Sequence, residues 1–139
     1  MAFRPPGSLV LTFGLLAAGG LAGGGSLGVQ RWQTQQQAER TAHELTGGDP
    51  RQGESAYKRF NCGACHAIRG VERADGRVGP ALDKISGRAF LAGDQPNDPA
   101  HMIAWIQHPQ AVRPGTGMPE LGLGDQEARD IAAYLYTLK

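Results

Sequence analysis

Hydrophobic and polar positions divide the chain of 139 residues into two contrasting parts. Residues 8–29 carry no charge, and their only polar side chains are Ser8, Thr12 and Ser26. As a helix rising about 1.5 Å per residue, this stretch is long enough to cross a bilayer core of about 30 Å. From Asp49 onward, short apolar segments alternate with polar loops. The pattern predicts an N-terminal tail at 1–7, a transmembrane anchor or signal segment at 8–29, a polar linker at 30–48 and a folded domain at 49–139.

The uncharged segment has features of both an anchor and a signal peptide. Arg4 precedes it and Arg31-Trp32 follows it, and tryptophan is favoured at membrane interfaces. Pairs such as Gly19/Gly23 have the spacing that lets two membrane helices approach closely. Ala22-Gly23-Gly24 is a weak cleavage site, and the apolar region is longer than most signal centres. We favour an uncleaved anchor, and with either alternative the rest of the chain is exported.

Three helices are predicted in the folded domain. Asp49-Pro50 begins one that runs to about Phe60, and Asp98-Pro99 begins another that runs to about Gln107, because an aspartate cap followed by proline is a typical helix start. The last runs from about residue 125 to 138. Nothing resembles a strand. The irregular stretch from 68 to about 97 is too long for a compact domain unless something else organises it. The last helix has one apolar face, made of Ala128, Ile131, Ala132, Leu135 and Leu138.

The two cysteines stand together in Cys62-Gly63-Ala64-Cys65-His66. This C-x-x-C-H pattern is the one typical of c-type haem attachment, in which each sulfur forms a thioether and the adjacent histidine binds iron. A structural zinc site needs four ligands, and the chain has no second cysteine pair. A thioredoxin-like dithiol would need a neighbouring βαβ pattern, which is absent. The motif predicts one covalent haem c on Cys62 and Cys65, with His66 on the iron.

The second axial ligand is predicted to be Met118. It lies in a loop rich in glycine and proline, and a methionine on iron raises the reduction potential and favours electron transfer. Met102 lies within a helical pattern, where a core role is the better interpretation. His108 is the rival, but it precedes Pro109 at a helix end, so we expect it near the surface. The predicted metal ligands are therefore His66 and Met118.

These residues resemble the class I monohaem cytochromes c from Gly53 to Lys139. Within that family the chain is most similar to the haem domain of subunit II of caa3-type cytochrome oxidases. The resemblance rests on the haem motif, on Gly53-x-x-x-Tyr57-x-x-x-x-Cys62, and on five further segments. These are Val78-Gly79-Pro80-Ala81-Leu82, Ser86-Gly87-Arg88, Trp105-Ile106-Gln107-His108-Pro109-Gln110, Arg113-Pro114-Gly115-Thr116-Gly117-Met118-Pro119 and Ala132-Ala133-Tyr134-Leu135-Tyr136-Thr137-Leu138.

The resemblance implies an all-α fold, in which three main helices surround a covalent haem. The uncharged segment at 8–29 predicts an N-terminal membrane helix before this domain. It implies that the Pro80 carbonyl accepts the Nδ1–H of His66, and that Arg88 and Trp105 hydrogen-bond a haem propionate. An ordinary surface charge is the alternative for Arg88, and plain core packing is the alternative for Trp105. The predicted haem-binding residues are Cys62, Cys65, His66, Met118, Pro80, Arg88 and Trp105.

The implied function is electron transfer and not enzymatic catalysis. We expect a membrane-tethered carrier in a respiratory chain, with a quinol-oxidising complex as donor and a terminal oxidase as acceptor. The alternative is an electron-relay subunit of a periplasmic dehydrogenase or other redox enzyme complex. The expected location is the bacterial inner membrane, with the haem domain facing the periplasm or the outer face of the cell membrane. A net charge of +1 shows no basic excess for nucleic acid, and no small-molecule substrate is expected.

Overall fold

The computed structural model describes the backbone from Gly7 to Lys139 and the side chains from Ser26 onward. The chain divides into two compact units, Met1–Gln36 and Gln37–Lys139. The predicted membrane segment at 8–29 falls mostly on residues whose side chains lie outside those described. Among the described residues, no helix combines the length and the apolar character needed to cross a bilayer.

The helices are α1 (Gly7–Thr46), α2 (Pro50–Arg59), α3 (Pro99–Gln107), α4 (Pro109–Val112) and α5 (Asp125–Thr137), and the strands are β1 (Phe90–Leu91) and β2 (Gln95–Pro96).

The starts of α2 and α3 are those predicted from the sequence. The Asp49 carboxylate accepts a hydrogen bond from the backbone N–H of Arg51 at 2.8 Å. The Asp98 carboxylate accepts one from the N–H of His101 at 3.0 Å. Each bond satisfies an N–H that the first helical turn leaves without a partner. Proline at the next position adds a fixed φ and lacks the N–H that would need a partner.

The frame of the domain is the crossing of α2 over α5. A Cβ at Gly53 would lie 2.8 Å from the Cβ of Tyr134 and would collide with the Asp130 carbonyl, so the crossing requires glycine there. The rings of Tyr57 and Tyr134 pack at 5.7 Å between centroids with their planes tilted by 58°. Helix α3 packs against α5 as well. The predicted apolar face of α5 is buried at four of its five positions, and Leu138 is half-buried.

The end of the predicted linker is part of the second unit. Helix α1 continues to Thr46, and Ala38, Ala42 and Thr46 are buried at a spacing of four residues. The guanidinium of Arg129 donates to the Thr46 carbonyl at 3.1 Å. A solvated spacer was expected here. The buried stripe consists of two alanines and a threonine, so it adds little hydrophobicity to a segment that is polar elsewhere, and the periodic pattern is weak.

The irregular stretch from 68 to 97 makes hydrogen bonds with itself and with the residues that precede it. The N–H of Leu82 donates to the Ala67 carbonyl at 2.8 Å, and the N–H of Ile68 donates to the Ala74 carbonyl at 2.9 Å. The Asn97 amide donates to the carbonyls of Ile85 and Arg88 at 2.7 and 2.8 Å. The expectation of no strands was wrong for the antiparallel pair β1–β2. Two residues are too few to show the alternation by which a strand is recognised in a sequence.

Candidate functional site

A cavity of about 530 Å³ lies in the second unit. Its volume falls within the roughly 300–1,000 Å³ that is usual for cofactor pockets. Many of its walls are apolar and come from the loops, from α3 and from α5. All seven residues predicted to bind haem line this cavity, namely Cys62, Cys65, His66, Pro80, Arg88, Trp105 and Met118.

The cysteine turn is a short 3-10 helix, Cys62–Ala64, entered through Asn61 in the left-handed conformation with φ 56°. The N–H of His66 donates to the Cys62 carbonyl at 2.9 Å, which closes the turn. Both cysteines are half-buried free thiols. Burial raises the pKa of the Cys62 thiol to about 11.

Neighbouring backbone packs closely around the turn. The N–H of Gly76 donates to the Gly63 carbonyl at 3.0 Å. A Cβ at Gly63 would lie 2.9 Å from the Ala74 Cα and would also collide with the Arg73 carbonyl. The motif therefore needs glycine at its first intervening position, because a second loop lies against the turn. This loop fixes the shape of the attachment turn.

The ring of His66 is fixed from two sides. Its Nδ1–H donates to the Pro80 carbonyl at 2.8 Å. A Cβ at Gly79 would lie 2.6 Å from Nδ1 and 2.9 Å from Nε2, so a side chain at this position would displace the ring. The Tyr57 hydroxyl donates to the His66 carbonyl at 2.8 Å. With Nδ1 engaged as a donor, Nε2 is the nitrogen available to a metal.

Two methionines line the cavity. Met102 is 2 % exposed and lies in the core on α3. Met118 is half-buried in the loop that precedes α5. His108 is exposed, with Nδ1 3.7 Å from the Glu120 carboxylate, and it is not part of the cavity wall. The positions of all three side chains are those that the sequence predicts, and the ligation of Met118 remains a prediction.

Arg88 and Trp105 lie at the cavity with different environments. The Arg88 guanidinium donates to the carbonyls of Ala81 and Asp83, the second at 3.1 Å, and so holds the loop that follows Pro80. The Trp105 indole is half-buried, and its N–H makes no hydrogen bond with another described residue. A buried indole N–H usually has a partner, so Trp105 is a donor available at the cavity wall. Binding of a propionate by either residue stays a prediction.

Three residues that organise the site were given no role in the sequence analysis, although Gln110 and Arg113 lie in segments that carry the resemblance. Gln110 and Arg113 hold the loop that carries Met118, and Asn97 holds the 3-10 turn at 85–87. Each side chain bonds to main-chain carbonyls, which every residue has. No residue type at the acceptor position signals such a contact. The signal that could have pointed to Gln110 and Arg113 is their place in segments that carry the resemblance.

Residues 50–139 match the family model for cytochrome c. The chain belongs to the cytochrome c family. It is 34% identical over 108 residues to cytochrome c2 of Rhodopila globiformis, covering 66% of this chain and 95% of that protein. It is 31% identical to cytochrome c2 of Rhodomicrobium vannielii over 112 residues, covering 70% and 85%. Cytochrome c oxidase subunit 2 of Alkalihalophilus pseudofirmus is 32% identical over 89 residues, covering 63% of this chain and 25% of the subunit. The chain thus spans about a quarter of that subunit.

The cofactor of the family is covalent haem c, and the cavity of this cytochrome fits it. Two free thiols, an imidazole with one nitrogen engaged and a thioether all face one apolar cavity. Within the described residues, no group of three or more His, Cys, Asp or Glu side chains is arranged to hold a metal ion directly. The donor set therefore fits a porphyrin-bound iron better than a bare ion.

Proposed function

We propose that this cytochrome is a membrane-tethered carrier of single electrons in a respiratory chain, acting towards or within a terminal oxidase. The observation that carries the proposal is the meeting of Cys62, Cys65, His66 and Met118 at one cavity, although Met118 is more than fifty residues from the others. Filling both axial positions of an iron favours electron transfer over oxygen chemistry.

Each of these side chains has a role in holding the haem. Cys62 and Cys65 would hold it covalently, and His66 and Met118 would bind its iron. The haem iron supplies a one-electron Fe(III)/Fe(II) couple. The apolar walls, which include Leu82, Ile106 and Leu135, restrict water at the cavity, and low water access raises the reduction potential.

The orientation of the His66 imidazole is set by the residues that contact its ring. The Pro80 carbonyl fixes the proton on Nδ1, and Gly79 leaves the space that the ring occupies, since a side chain there would collide with it. Such contacts around a metal ligand typically matter nearly as much as the ligand itself. In this proposal Arg88 and Trp105 face the propionates. Ligand orientation is therefore set before any redox partner arrives.

Optical spectra of the haem-loaded protein test the axial ligands. The pyridine haemochrome is expected to show the α band of a thioether-linked haem. The ferric protein is expected to show a sulfur-to-iron band near the red end of the spectrum, and Met118→Ala should abolish it. Met102→Leu is the matched control and should retain the band, because Met102 is a core residue. A colourless protein, or a band that survives in Met118→Ala, contradicts the proposal.

The tether and the route to an oxidase have separate support. Residues 8–29 carry no charge, and from Thr41 onward eleven basic residues stand against twelve acidic ones. A nearly neutral domain attracts partners weakly by charge, and a tether would raise its concentration near membrane partners. The similarity to an oxidase subunit supports the choice of acceptor. Intact mass of the protein extracted from membranes tests the tether: a cleaved product recovered in the soluble fraction contradicts it.

A second candidate is an electron-relay subunit of a periplasmic dehydrogenase or another redox enzyme complex. The chain matches 95% of a small cytochrome c2 and 25% of the oxidase subunit, which supports a protein separate from such a subunit. Electron transfer from the reduced protein to membranes that contain an oxidase separates the two candidates. Fast oxidation by such membranes supports the first candidate, and oxidation no faster than with oxidase-free membranes supports the second.

A further inference from the structure

The side chain of Gln110 makes three hydrogen bonds to the loop that carries Met118. The Gln110 Nε2 amide donates to the carbonyls of Thr116 and Met118, both at 2.8 Å. Its Oε1 accepts a hydrogen bond from the N–H of Gly115 at 3.1 Å. One half-buried amide therefore satisfies three main-chain groups of the same loop, including the carbonyl of Met118 itself.

Little else fixes the loop from within. Among the described residues, positions 114–119 make one main-chain to main-chain hydrogen bond, from the Thr116 N–H to the Arg113 carbonyl at 3.2 Å. The far end is tied back through the Gln110 main-chain N–H, which donates to the Glu120 carboxylate at 3.0 Å. Residue 110 thus meets the loop at its start and again at its end.

We propose that Gln110 is a positioning residue that holds Met118 at the cavity as the second axial ligand. The inference rests on the proposed function, in which Met118 ligates the iron. Gln110 does not line the cavity itself. It acts by keeping the Met118 main chain in place, so that the thioether stays at the cavity without a search through loop conformations.

The amide group suits this role, and similar groups do not. A leucine has nearly the same size and makes none of the three hydrogen bonds. A glutamate retains an acceptor for Gly115 but has no N–H, and it sets a negative charge against two carbonyl oxygens. Each hydrogen bond of this kind shifts an equilibrium by roughly two- to tenfold. Losing them together should raise the population of the displaced loop by at least about tenfold.

The test compares loop opening with global unfolding in the full-length, haem-loaded protein. Wild type, Gln110→Leu, Gln110→Glu and Met118→Ala are measured. Gln126→Leu is the matched control, because the Gln126 amide also makes two side-chain hydrogen bonds, to Gly47 and Asp130, and does not line the cavity. Two temperatures are recorded: loss of the ferric sulfur-to-iron band, and loss of helical circular dichroism. Carbon monoxide binding to the reduced protein reports on access to the sixth position.

For both Gln110 variants, the band should be lost at a lower temperature while helix unfolding moves less, so the gap between the two temperatures widens. Carbon monoxide should bind at least about tenfold faster. Gln126→Leu should lower both temperatures together and leave the carbon monoxide rate unchanged. If Gln110→Leu fails to fold, Gln110→Glu gives the same measurements.

Two results would overturn the inference. One is that the Gln110 variants keep the wild-type gap between the two temperatures and the wild-type rate of carbon monoxide binding. The other is a parallel fall of both temperatures, which indicates a purely structural role. Failure of the proposed function is distinct from either, because in that case the band survives in Met118→Ala or is absent from wild type.

Discussion

The two sides of the cavity are held by different kinds of contact. On the His66 side, main chain packs closely against main chain at Gly63 and against the imidazole at Gly79, so neither position has room for a side chain. The Pro80 carbonyl receives the imidazole N–H. On the Met118 side, the side chains of Gln110 and Arg113 hold a loop with few bonds of its own. The first side is rigid because glycines allow close contact between segments, and the second is held by a few polar contacts.

This difference predicts which side of the cavity should open first. Displacing His66 requires disrupting the turn at 62–66, which is bonded to residues that follow it as far as Gly79. Displacing Met118 requires the loss of a few side-chain hydrogen bonds at a half-exposed loop. Local opening takes the route with the fewest buried contacts. Substitutions on the His66 side should therefore lower global stability. Substitutions on the Met118 side should first lower the fraction of protein in which Met118 is bound to the iron.

The largest effect is expected from Gly79→Ala. The added methyl group would overlap the imidazole, which must shift and lose its bond to Pro80. Overpacking of this kind costs about 2 to 3 kcal/mol, measured as the free energy of unfolding in denaturant. Gly87→Ala is the matched control, because no atom lies within 4 Å of the new methyl group. Equal stabilities of the two variants would show that the His66 side is not rigid.

Tyr57→Phe should produce the next largest effect. It removes the hydroxyl that donates to the His66 carbonyl, and the expected loss is about 1 kcal/mol in the free energy of unfolding. Tyr134→Phe is the control: its ring packs on Tyr57, and its hydroxyl makes no hydrogen bond with a described residue. The red-end ferric band should remain in both variants at room temperature. Loss of the band in Tyr57→Phe would mean that the two sides of the cavity are coupled.

The same difference explains what the sequence could predict. The His66 side depends on residue types that local rules recognise: cysteine spacing, glycine where segments touch, and proline after an aspartate cap. The helices α2 and α3 follow from Asp49 and Asp98 in this way. The seven candidate binding residues were all identifiable from the motif and the resemblance, and they line one cavity.

The contacts that could not be predicted join residues far apart in the sequence, or involve no distinctive residue type. The contact of Arg113 with the Ala92 carbonyl joins residues 21 positions apart, and any residue offers such a carbonyl. The burial of Ala38 and Ala42 was missed because alanine contributes little to a hydrophobic pattern in a polar segment. The short helix α4 was missed because a single turn shows no periodicity.

A smaller effect is expected from Arg113→Met on the Met118 side. Arg113 donates to the Ala92 carbonyl at 2.5 Å and joins the β1–β2 connection to the methionine loop. Because the side chain is exposed, its loss should cost less than about 1 kcal/mol of global stability. The temperature at which the ferric band disappears should nevertheless fall more than the unfolding temperature. The control is Arg73→Met, whose side chain is 91% exposed with only a loose ion pair to Glu72. Equal shifts in both temperatures would show that the loop does not open separately.

The smallest effect should come from Glu127→Gln. Glu127 lies on α5, which supports both the His66 side and the Met118 side of the cavity, so this variant provides a baseline for comparing the two sides. The Gly124 N–H and the Arg59 guanidinium donate to Glu127 at 3.1 and 2.6 Å, and together they hold the pKa of this carboxyl below its ordinary value of 4.5. Because the pKa is lower in the folded state, the stabilisation is present above pH 4.5 and is lost as the pH falls through the folded-state pKa. The variant should therefore be slightly less stable than wild type at neutral pH and indistinguishable from it in acid. Denaturant unfolding at several pH values measures this, with Glu72→Gln as an exposed control. The temperature of band loss and the temperature of unfolding should shift together. A shift in the temperature of band loss alone would assign α5 to the Met118 side.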